Sequence, residues 1–266
     1  MSLQLNTVYN EDCLIAMQRI EDKSIDMVLC DLPYGTTACK WDVIIPFDKL
    51  WEQYERIIKD NGAIVLTASQ PFSSALVMSN SKIFRYEWVW EKDNGTNFPS
   101  VNFQPFRVHE NVLVFGRFPT TFTKKGGYNY IPQFSLGKAY SCVSGKQKHD
   151  TIRGGSSAAA GQYETVNEGK RFPKSIIKIN RDKEKMHPTQ KPVALFEYLI
   201  KTYTNEGETV LDNCAGSFTT AVACENTNRN WICIEKEEKY CEIGRNRIEQ
   251  NRKRLKELNK IQELGF

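Results

Sequence analysis

The chain has 266 residues, of which 40% are hydrophobic and 26% charged, and its formal net charge is +4. This length allows one large domain or one domain with an insertion, and the composition is that of a globular protein. The sequence has no apolar run long enough to span a bilayer, and its first residues lack the basic and apolar regions of a secretory signal. The eight cysteines form no CxxC pair or zinc-ligand spacing, so we expect reduced thiols, a cytoplasmic protein and no metal.

Apolar and amphipathic runs alternate along the chain on both sides of a central polar segment. Before that segment they predict strand, helix, strand, helix, strand and strand at residues 24–31, 46–62, 63–69, 72–83, 84–92 and 109–117. After it they predict helix, strand, helix, strand and helix at residues 189–207, 208–213, 219–228, 229–235 and 236–261. Gly62 and Gly207 are expected to end their helices, and Pro192 to lie in a first turn. The alternation predicts an α/β fold with a mostly parallel sheet and ligands at the carboxyl ends of its strands.

The central segment is strongly basic. Residues 117–185 hold 14 Lys and Arg residues against 5 Asp and Glu residues, a net charge of +9, whereas the rest of the chain carries −5. The segment is rich in Gly, Ser and aromatic residues, and it lacks strong periodicity. A solvated surface insertion and a nucleic-acid-binding region both fit this composition. We therefore divide the chain into residues 1–116, a basic insertion at 117–185, and residues 186–266.

The stretch "VLCDLPYGTT" places an acid and an aromatic ring directly after a buried strand. Asp31 ends the apolar run, and Leu32, Pro33 and Tyr34 follow it. An ordinary turn explains these residue types, because Pro, Gly and Asp are common in turns. A clamp for a flat molecule that bears an amine explains them as well, since the carboxylate accepts hydrogen bonds and the ring stacks.

The stretch from Val210 to Glu235 has the order of a nucleotide-binding unit. A strand runs into a loop with one glycine, then a helix, then a strand that ends in an acid 23 residues after Asp212. Such a loop lets the backbone approach a ligand, the helix offers free N–H groups, and the acid accepts from ribose hydroxyls. The loop lacks the GxGxxG pattern, which argues against a dinucleotide. One glycine loop alone is weak support, since an ordinary strand–turn–helix looks the same.

Taken together, these stretches resemble the permuted β group of amino-group DNA methyltransferases, which use S-adenosylmethionine. "DLPY" is similar to the family's [DNS]PP[YFW] motif, and "LDNCAGSFTT" to its DPFxGSGTT-type loop. "HPTQKP" at 187–192 matches the stretch that precedes that loop, and "YNEDCLIAM" resembles the cofactor-adenine element. The basic insertion lies where the family has its target-recognition region. The resemblance covers nearly the whole chain and implies a circularly permuted Rossmann-like class I methyltransferase sheet.

The resemblance also implies roles for individual residues. The implied reaction is transfer of a methyl group to the exocyclic amine of a flipped adenine, with cytosine N4 as the alternative. The residues implied in this transfer are Asp31, Leu32, Pro33 and Tyr34. The implied S-adenosylmethionine-binding residues are Asp12 near the adenine, Glu235 on the ribose, and Asp31, His187, Thr189, Lys191, Asp212, Ala215, Gly216, Ser217, Thr219 and Thr220. The residues expected to contact the phosphates of double-stranded DNA are Lys124, Lys125, Lys146 and Lys148. The resemblance implies a bacterial or phage-encoded protein, and it leaves open a homodimer and a cognate restriction endonuclease.

The chain departs from the family pattern at four positions. Leu32 replaces a proline of the first motif. Asn213 and Cys214 replace a proline and a phenylalanine, which makes the turn after the strand less rigid. Phe218 replaces a glycine, so its ring either crowds the cofactor loop or turns away from it. A weakly active or inactive DNA-binding relative is therefore a second hypothesis. A third, a class I methyltransferase acting on RNA or protein glutamine, is disfavoured because Asp31 precedes Asp212 by 181 residues, the reverse of the order in those enzymes.

Overall fold

The computed structural model describes residues 2–117, 129–144, 163–183 and 190–263. Its strands are β1 Thr7–Asn10, β2 Ile25–Asp31, β3 Ile58–Ala68, β4 Phe84–Glu91, β5 His109–Phe115, β6 Ser135–Leu136, β7 Tyr140–Ser144, β8 Tyr163–Asn167, β9 Lys170–Arg171, β10 Ile176–Lys178, β11 Thr209–Asp212 and β12 Asn230–Glu235. Its α-helices are α1 Cys13–Met17, α2 Phe47–Ile57, α3 Phe72–Ser79, α4 Val193–Tyr203, α5 Thr219–Asn226 and α6 Glu238–Glu263.

Eight strands form one sheet in the order β1-β12-β11-β2-β3-β5-β4-β10. Neighbouring strands are parallel except around β5, which runs antiparallel to both β3 and β4. The predicted α/β fold with a mostly parallel sheet is confirmed. The sequence analysis did not predict β1, which pairs with β12 at the edge of the sheet.

The sheet is covered on both faces, and β2 shows why its sequence is continuously apolar. Met27 and Leu29 belong to the buried cluster that includes residues of α4, α5 and α6. Val28 and Cys30 belong to the cluster that includes residues of α1, α2 and α3. Successive side chains of a strand point to opposite faces, so a strand buried on both faces needs apolar residues at every position.

The helix predicted at 46–62 is shorter than expected. α2 ends at Ile57, the chain enters β3 at Ile58, and Gly62 lies inside that strand rather than at a helix end. The pairing of β2 with β3 shifts register opposite Asp26, and a Cβ atom on Gly62 would lie 2.7 Å from the Asp26 carbonyl oxygen. Gly62 therefore allows a close backbone approach. Similarly, the predicted helix at 189–207 ends at Tyr203, before Gly207.

Residues 132–174 form a second unit, separate from the unit made of residues 1–131 and 175–266. Within it, β6 pairs with β9 and β7 pairs with β8, both antiparallel. The boundaries at 117 and 185 stay a prediction. Lys124, Lys125, Lys146 and Lys148 lie outside the described residues. Across the described ranges, every helix is too short or too polar to cross a bilayer.

Candidate active site

A cavity of about 560 Å³ lies at the carboxyl ends of β2, β11 and β12. Each of these strands ends in an acid that lines the cavity: Asp31, Asp212 and Glu235. The loops after parallel strands meet at one edge of the sheet, which explains why stretches far apart in sequence share one cavity. The other sequence-predicted residues that line it are Asp12, Leu32, Pro33, Tyr34, Lys191, Ala215, Gly216, Ser217 and Thr219. His187 and Thr189 lie outside the described residues.

The carboxylate of Asp31 is held by three side-chain donors. Its Oδ1 accepts from the Tyr34 hydroxyl at 2.7 Å and from the Thr67 hydroxyl, and its Oδ2 accepts from the Lys191 ammonium at 2.6 Å. A carboxylate has about four lone-pair positions, so one position on Oδ2 is available to a further donor. The Leu32 side chain is buried and belongs to the core cluster that includes residues of α1, α2 and α3, and the residue also lines the cavity.

Lys191 belongs to a buried chain of alternating charges. Only 7% of its side chain is exposed, and its ammonium lies 2.6 Å from Asp31 and 3.4 Å from Glu110, which in turn pairs with Lys92 at 2.9 Å. Burial opposes the charge on Lys191, but Asp31 and Glu110 outweigh it and raise its pKa. Burial also opposes the charge on Glu110, and the two lysines nevertheless hold its pKa below the usual range. Lys191 and Glu110 therefore stay charged at neutral pH, and the Lys191 ammonium holds Asp31 in place.

Tyr34 lines the cavity and contributes a neutral hydroxyl to it. Its ring stacks on Phe72 with centroids 5.0 Å apart, and the Lys191 ammonium lies 5.7 Å from the ring centroid. Burial, with Asp31 and Glu110 nearby, raises the pKa of the Tyr34 hydroxyl well above its ordinary value. The hydroxyl therefore remains a donor to Asp31 and orients that carboxylate.

The loop after β11 is shaped by backbone hydrogen bonds and one glycine. Gly216 has φ +50°, in the left-handed region that favours glycine, and its N–H donates to Glu235 Oε2 at 2.8 Å. Glu235 Oε1 accepts from the Glu237 N–H at 2.9 Å. Asn213 is tied to α2, because the buried Tyr54 hydroxyl donates to its side-chain oxygen.

Two predicted cofactor residues also have structural contacts. Asp12 precedes α1, and its carboxylate accepts from the Leu14 N–H at 2.9 Å as an N-cap. Thr220 does not line the cavity; it is buried and donates its hydroxyl to Asp212 Oδ2. Both assignments to the cofactor stay predictions.

Arg247 of α6 braces the same loop from outside the cavity lining. It donates to the Ser217 carbonyl and to the Thr219 hydroxyl, both at 2.9 Å. The sequence analysis missed Arg247, Thr67, Lys92 and Glu110, although the last three lie at ends of predicted strands.

Phe218 is buried beside the loop and does not line the cavity. Its backbone has φ +61° and ψ +37°, the left-handed conformation that the family's glycine adopts easily. Its ring is fully buried and packs on Gly244 of α6, where a Cβ atom would overlap the ring. The ring therefore turns away from the loop, and the absence of a side chain at position 244 provides its space.

The buried carboxyl of Asp212 makes the stability of the fold depend on pH. Burial raises the pKa of its carboxyl to about 7, although hydrogen bonds from Thr220 and Cys214 oppose the shift. The folded protein therefore holds a proton up to about pH 7, whereas the unfolded chain releases it near a pKa of about 3.9. This stabilising contribution is complete below the unfolded pKa and declines as the pH rises toward 7.

We expect the variant Asp212→Asn, which cannot ionise, to lack that decline. Relative to the unsubstituted protein, the free energy of unfolding of this variant should increase by roughly 1 kcal/mol per pH unit between about pH 4.5 and 7. The difference between the two proteins should stay constant above pH 7. Urea unfolding of both proteins across this range tests it. Parallel curves would show that the carboxyl is ionised in the folded state.

Among the described residues, no group of three or more His, Cys, Asp or Glu side chains is arranged to hold a metal. The cysteines there are thiols without disulfides.

Comparison with known proteins places this geometry in a family context. The family model for N6/N4 methyltransferases, described as DNA methylase, matches residues 25–246. The type II methyltransferase M.HpaI of Haemophilus parainfluenzae is 27% identical over 247 residues, covering 88% of this chain and 71% of that protein.

Two solved structures share the fold at low sequence identity. The M1.HpyAVI–SAM complex has a TM-score of 0.57 at 20% identity, covering 91% of this chain and 98% of that one. The cytosine-N4-specific PvuII DNA methyltransferase has a TM-score of 0.62 at 15% identity, covering 91% and 86%. The mostly parallel sheet with helices on both faces is thus found in both proteins.

Proposed function

Because this chain belongs to the N6/N4 DNA methylase family, we propose that it transfers a methyl group from S-adenosylmethionine to the exocyclic N6 amine of a flipped adenine in double-stranded DNA. The observation that carries the proposal is the position of Asp31. Asp31 lines the same cavity as Glu235 and the Gly216 loop, and its carboxylate retains one unoccupied acceptor position beside Tyr34.

An exocyclic amine is a poor nucleophile because its lone pair is delocalised into the base. Asp31 Oδ2 and a backbone carbonyl after it can each accept one amine hydrogen, and this favours a pyramidal nitrogen with a localised lone pair. The Lys191 ion pair and the Tyr34 and Thr67 hydroxyls keep that carboxylate in place. Tyr34 stacks on the extruded base, a contact worth roughly 1–3 kcal/mol. Most of the acceleration comes from alignment, so a fixed Asp31 matters more than its basicity.

The residues around the loop fit the proposed cofactor. Its ribose would offer two hydroxyl donors, and the Glu235 carboxylate retains acceptor capacity beyond its backbone partners. A volume of about 560 Å³ is in the usual range for a small-molecule site. When bound, S-adenosylmethionine supplies an electrophilic methyl group on its sulfonium. Lys191 is already engaged with two carboxylates, so a role at the amino-acid end of the cofactor stays a prediction, as it does for Thr219.

Cytosine N4 is the second candidate, and the cytosine-N4 specificity named for the PvuII enzyme keeps it open. The acid at position 31 favours adenine, since in the family aspartate leads the motif more often in adenine enzymes and serine in cytosine enzymes. Mass spectrometry of nucleosides from DNA of expressing cells separates the two. N6-methyladenine supports the proposal, N4-methylcytosine supports the alternative, and neither base together with no cofactor binding by calorimetry supports an inactive relative.

We propose that the basic segment contacts DNA phosphates through Lys124, Lys125, Lys146 and Lys148. Replacing all four with Gln should weaken DNA binding and flatten its dependence on salt, because each phosphate contact releases a counterion. Fluorescence anisotropy at several salt concentrations measures both quantities. An unchanged affinity and salt slope would identify a solvated loop. A homodimer and a cognate endonuclease remain predictions from the resemblance.

A further inference from the structure

The loop that joins β4 to β5, residues 92–108, begins at the cavity and projects from its rim. Lys92 and Thr96 of this loop line the cavity, as does Glu110 just beyond it. The loop's two arms are joined near the cavity, where the Lys92 N–H donates to the Val108 carbonyl at 2.7 Å and the Thr96 N–H donates to the Arg107 carbonyl at 3.3 Å. The loop is therefore continuous with the site.

The loop is held in shape by its own polar contacts. The Asn97 side chain bridges the two arms, donating to the Pro105 carbonyl at 3.0 Å and accepting from the Arg107 N–H at 2.7 Å. A 3-10 helix at Phe98–Ser100 follows, and the Phe103 and Gln104 N–H groups both donate to the Ser100 carbonyl. These bonds fix the tip of the loop rather than leaving it as an extended chain.

The tip presents aromatic rings to solvent. Phe103 is 90% exposed and Phe98 is 74% exposed, while Phe106 is 39% exposed, packs edge-on against Phe98 and lies over Gly95. Single exposed apolar residues are ordinary on protein surfaces. Here three phenylalanines share one braced loop at the rim of a cavity, so the arrangement indicates a contact surface.

We propose that Phe103 inserts into the DNA base stack and fills the space that the flipped base leaves. The inference rests on the proposed function, since extruding a base into the cavity opens a gap in the duplex next to the rim. Apolar side chains that insert between bases are a known way to stabilise such a distortion. Seven residues of chain separate Phe103 from Thr96, at most about 25 Å when extended. The ring is therefore within reach of DNA lying over the cavity.

DNA fits this surface better than a second copy of the chain. Arg107, on the same loop, is exposed and supplies a positive charge for a phosphate. Phe103, the most exposed of the three rings, is a single flat side chain of a size suited to insertion between two bases. A dimer interface instead needs a broad complementary patch.

The test compares Phe103→Ala with the unsubstituted enzyme on three DNAs that contain the methylated site. The first is an ordinary duplex, the second has an abasic site opposite the target base, and the third is single-stranded. On the ordinary duplex we expect kcat/KM to fall about tenfold or more, because the inserted ring no longer offsets the cost of unstacking the target base. The loss should shrink to less than about threefold on the other two, since the target base there is already unstacked or unpaired.

Two control variants sharpen the comparison. Phe103→Leu keeps an apolar wedge and should restore most of the activity on the duplex. Met78→Ala removes another exposed apolar side chain, 75% exposed on α3 and not part of the cavity lining, and should change none of the three rates.

The results separate the inference from the proposed function. Methylation by the unsubstituted enzyme with no effect of Phe103→Ala would overturn the inference alone, as would an equal loss on all three DNAs. A dimer that dissociates in Phe103→Ala, seen by sedimentation, would overturn it in favour of self-association. An unsubstituted enzyme that methylates no DNA would overturn the proposed function and the inference together.

Discussion

The variant Asp31→Asn should lose methyl transfer while retaining its cofactor and its fold. Asparagine has nearly the shape of aspartate, but it has one acceptor oxygen in place of two and no charge to hold Lys191. The target amine then loses its acceptor, and the carboxamide is free to turn its NH₂ group toward the cavity. We expect the single-turnover rate to fall by about 10²–10⁴-fold, the usual contribution of a positioned acid–base group. Transfer of a labelled methyl group to DNA measures the rate.

Two measurements show whether that loss is specific. Calorimetry should give a cofactor Kd within about threefold of the unsubstituted value, because Glu235 and the Gly216 loop are unchanged; a larger change would support the cofactor-binding role that the resemblance implies for Asp31. Thr67→Val serves as the matched control: it removes one of the three donors to Asp31 and keeps the acid, so its rate should fall far less. A rate near the unsubstituted value in Asp31→Asn would show that this carboxylate does not act on the target amine.

The ends of strands β2, β11 and β12 could be predicted because their signals are local. An apolar run followed by an acid marks the end of a buried strand, and parallel strands bring such ends to one edge. Asp31, Asp212 and Glu235 consequently share the cavity as expected. The partners of Asp31 could not be predicted in this way. Thr67 and Lys191 lie 36 and 160 residues from it in sequence, and only the order of strands in the sheet brings them together.

Glu110 is another cavity-lining residue whose position could not be predicted from local sequence signals. It lies at the start of β5, the strand that runs antiparallel between β3 and β4, so its beginning meets the carboxyl ends of the neighbouring strands. The helix end at Ile57 was also missed, because the register shift opposite Asp26 is a tertiary feature. Gly62 fits both a helix end and a close backbone approach, and the sequence pattern does not distinguish them.

Replacing Phe218 should reduce stability and leave the affinity for the cofactor unchanged. Its ring is fully buried against α6, and removing a buried Phe costs about 3–5 kcal/mol. Phe218→Ala loses the ring and keeps a side chain at a backbone φ of +61°, a conformation that costs L-residues roughly 1–2 kcal/mol. Phe218→Gly loses the same ring and relieves that strain. We therefore expect the Gly variant to be about 1 kcal/mol more stable than the Ala variant, with both well below the unsubstituted protein in urea unfolding.

Gly244 supplies the decisive comparison, because its missing side chain makes room for the ring. In the unsubstituted protein Gly244→Ala places a methyl group into the Phe218 ring and should destabilise the fold. In the Phe218→Gly background the same change meets open space inside α6, where Ala is favoured over Gly by about 0.5–1 kcal/mol, so it should stabilise. A change of sign between the two backgrounds establishes that ring and glycine are packed as a pair. If the effects simply add, or if Phe218→Gly tightens the cofactor Kd, then the ring occupies the loop instead, and the hypothesis of an impaired enzyme is restored.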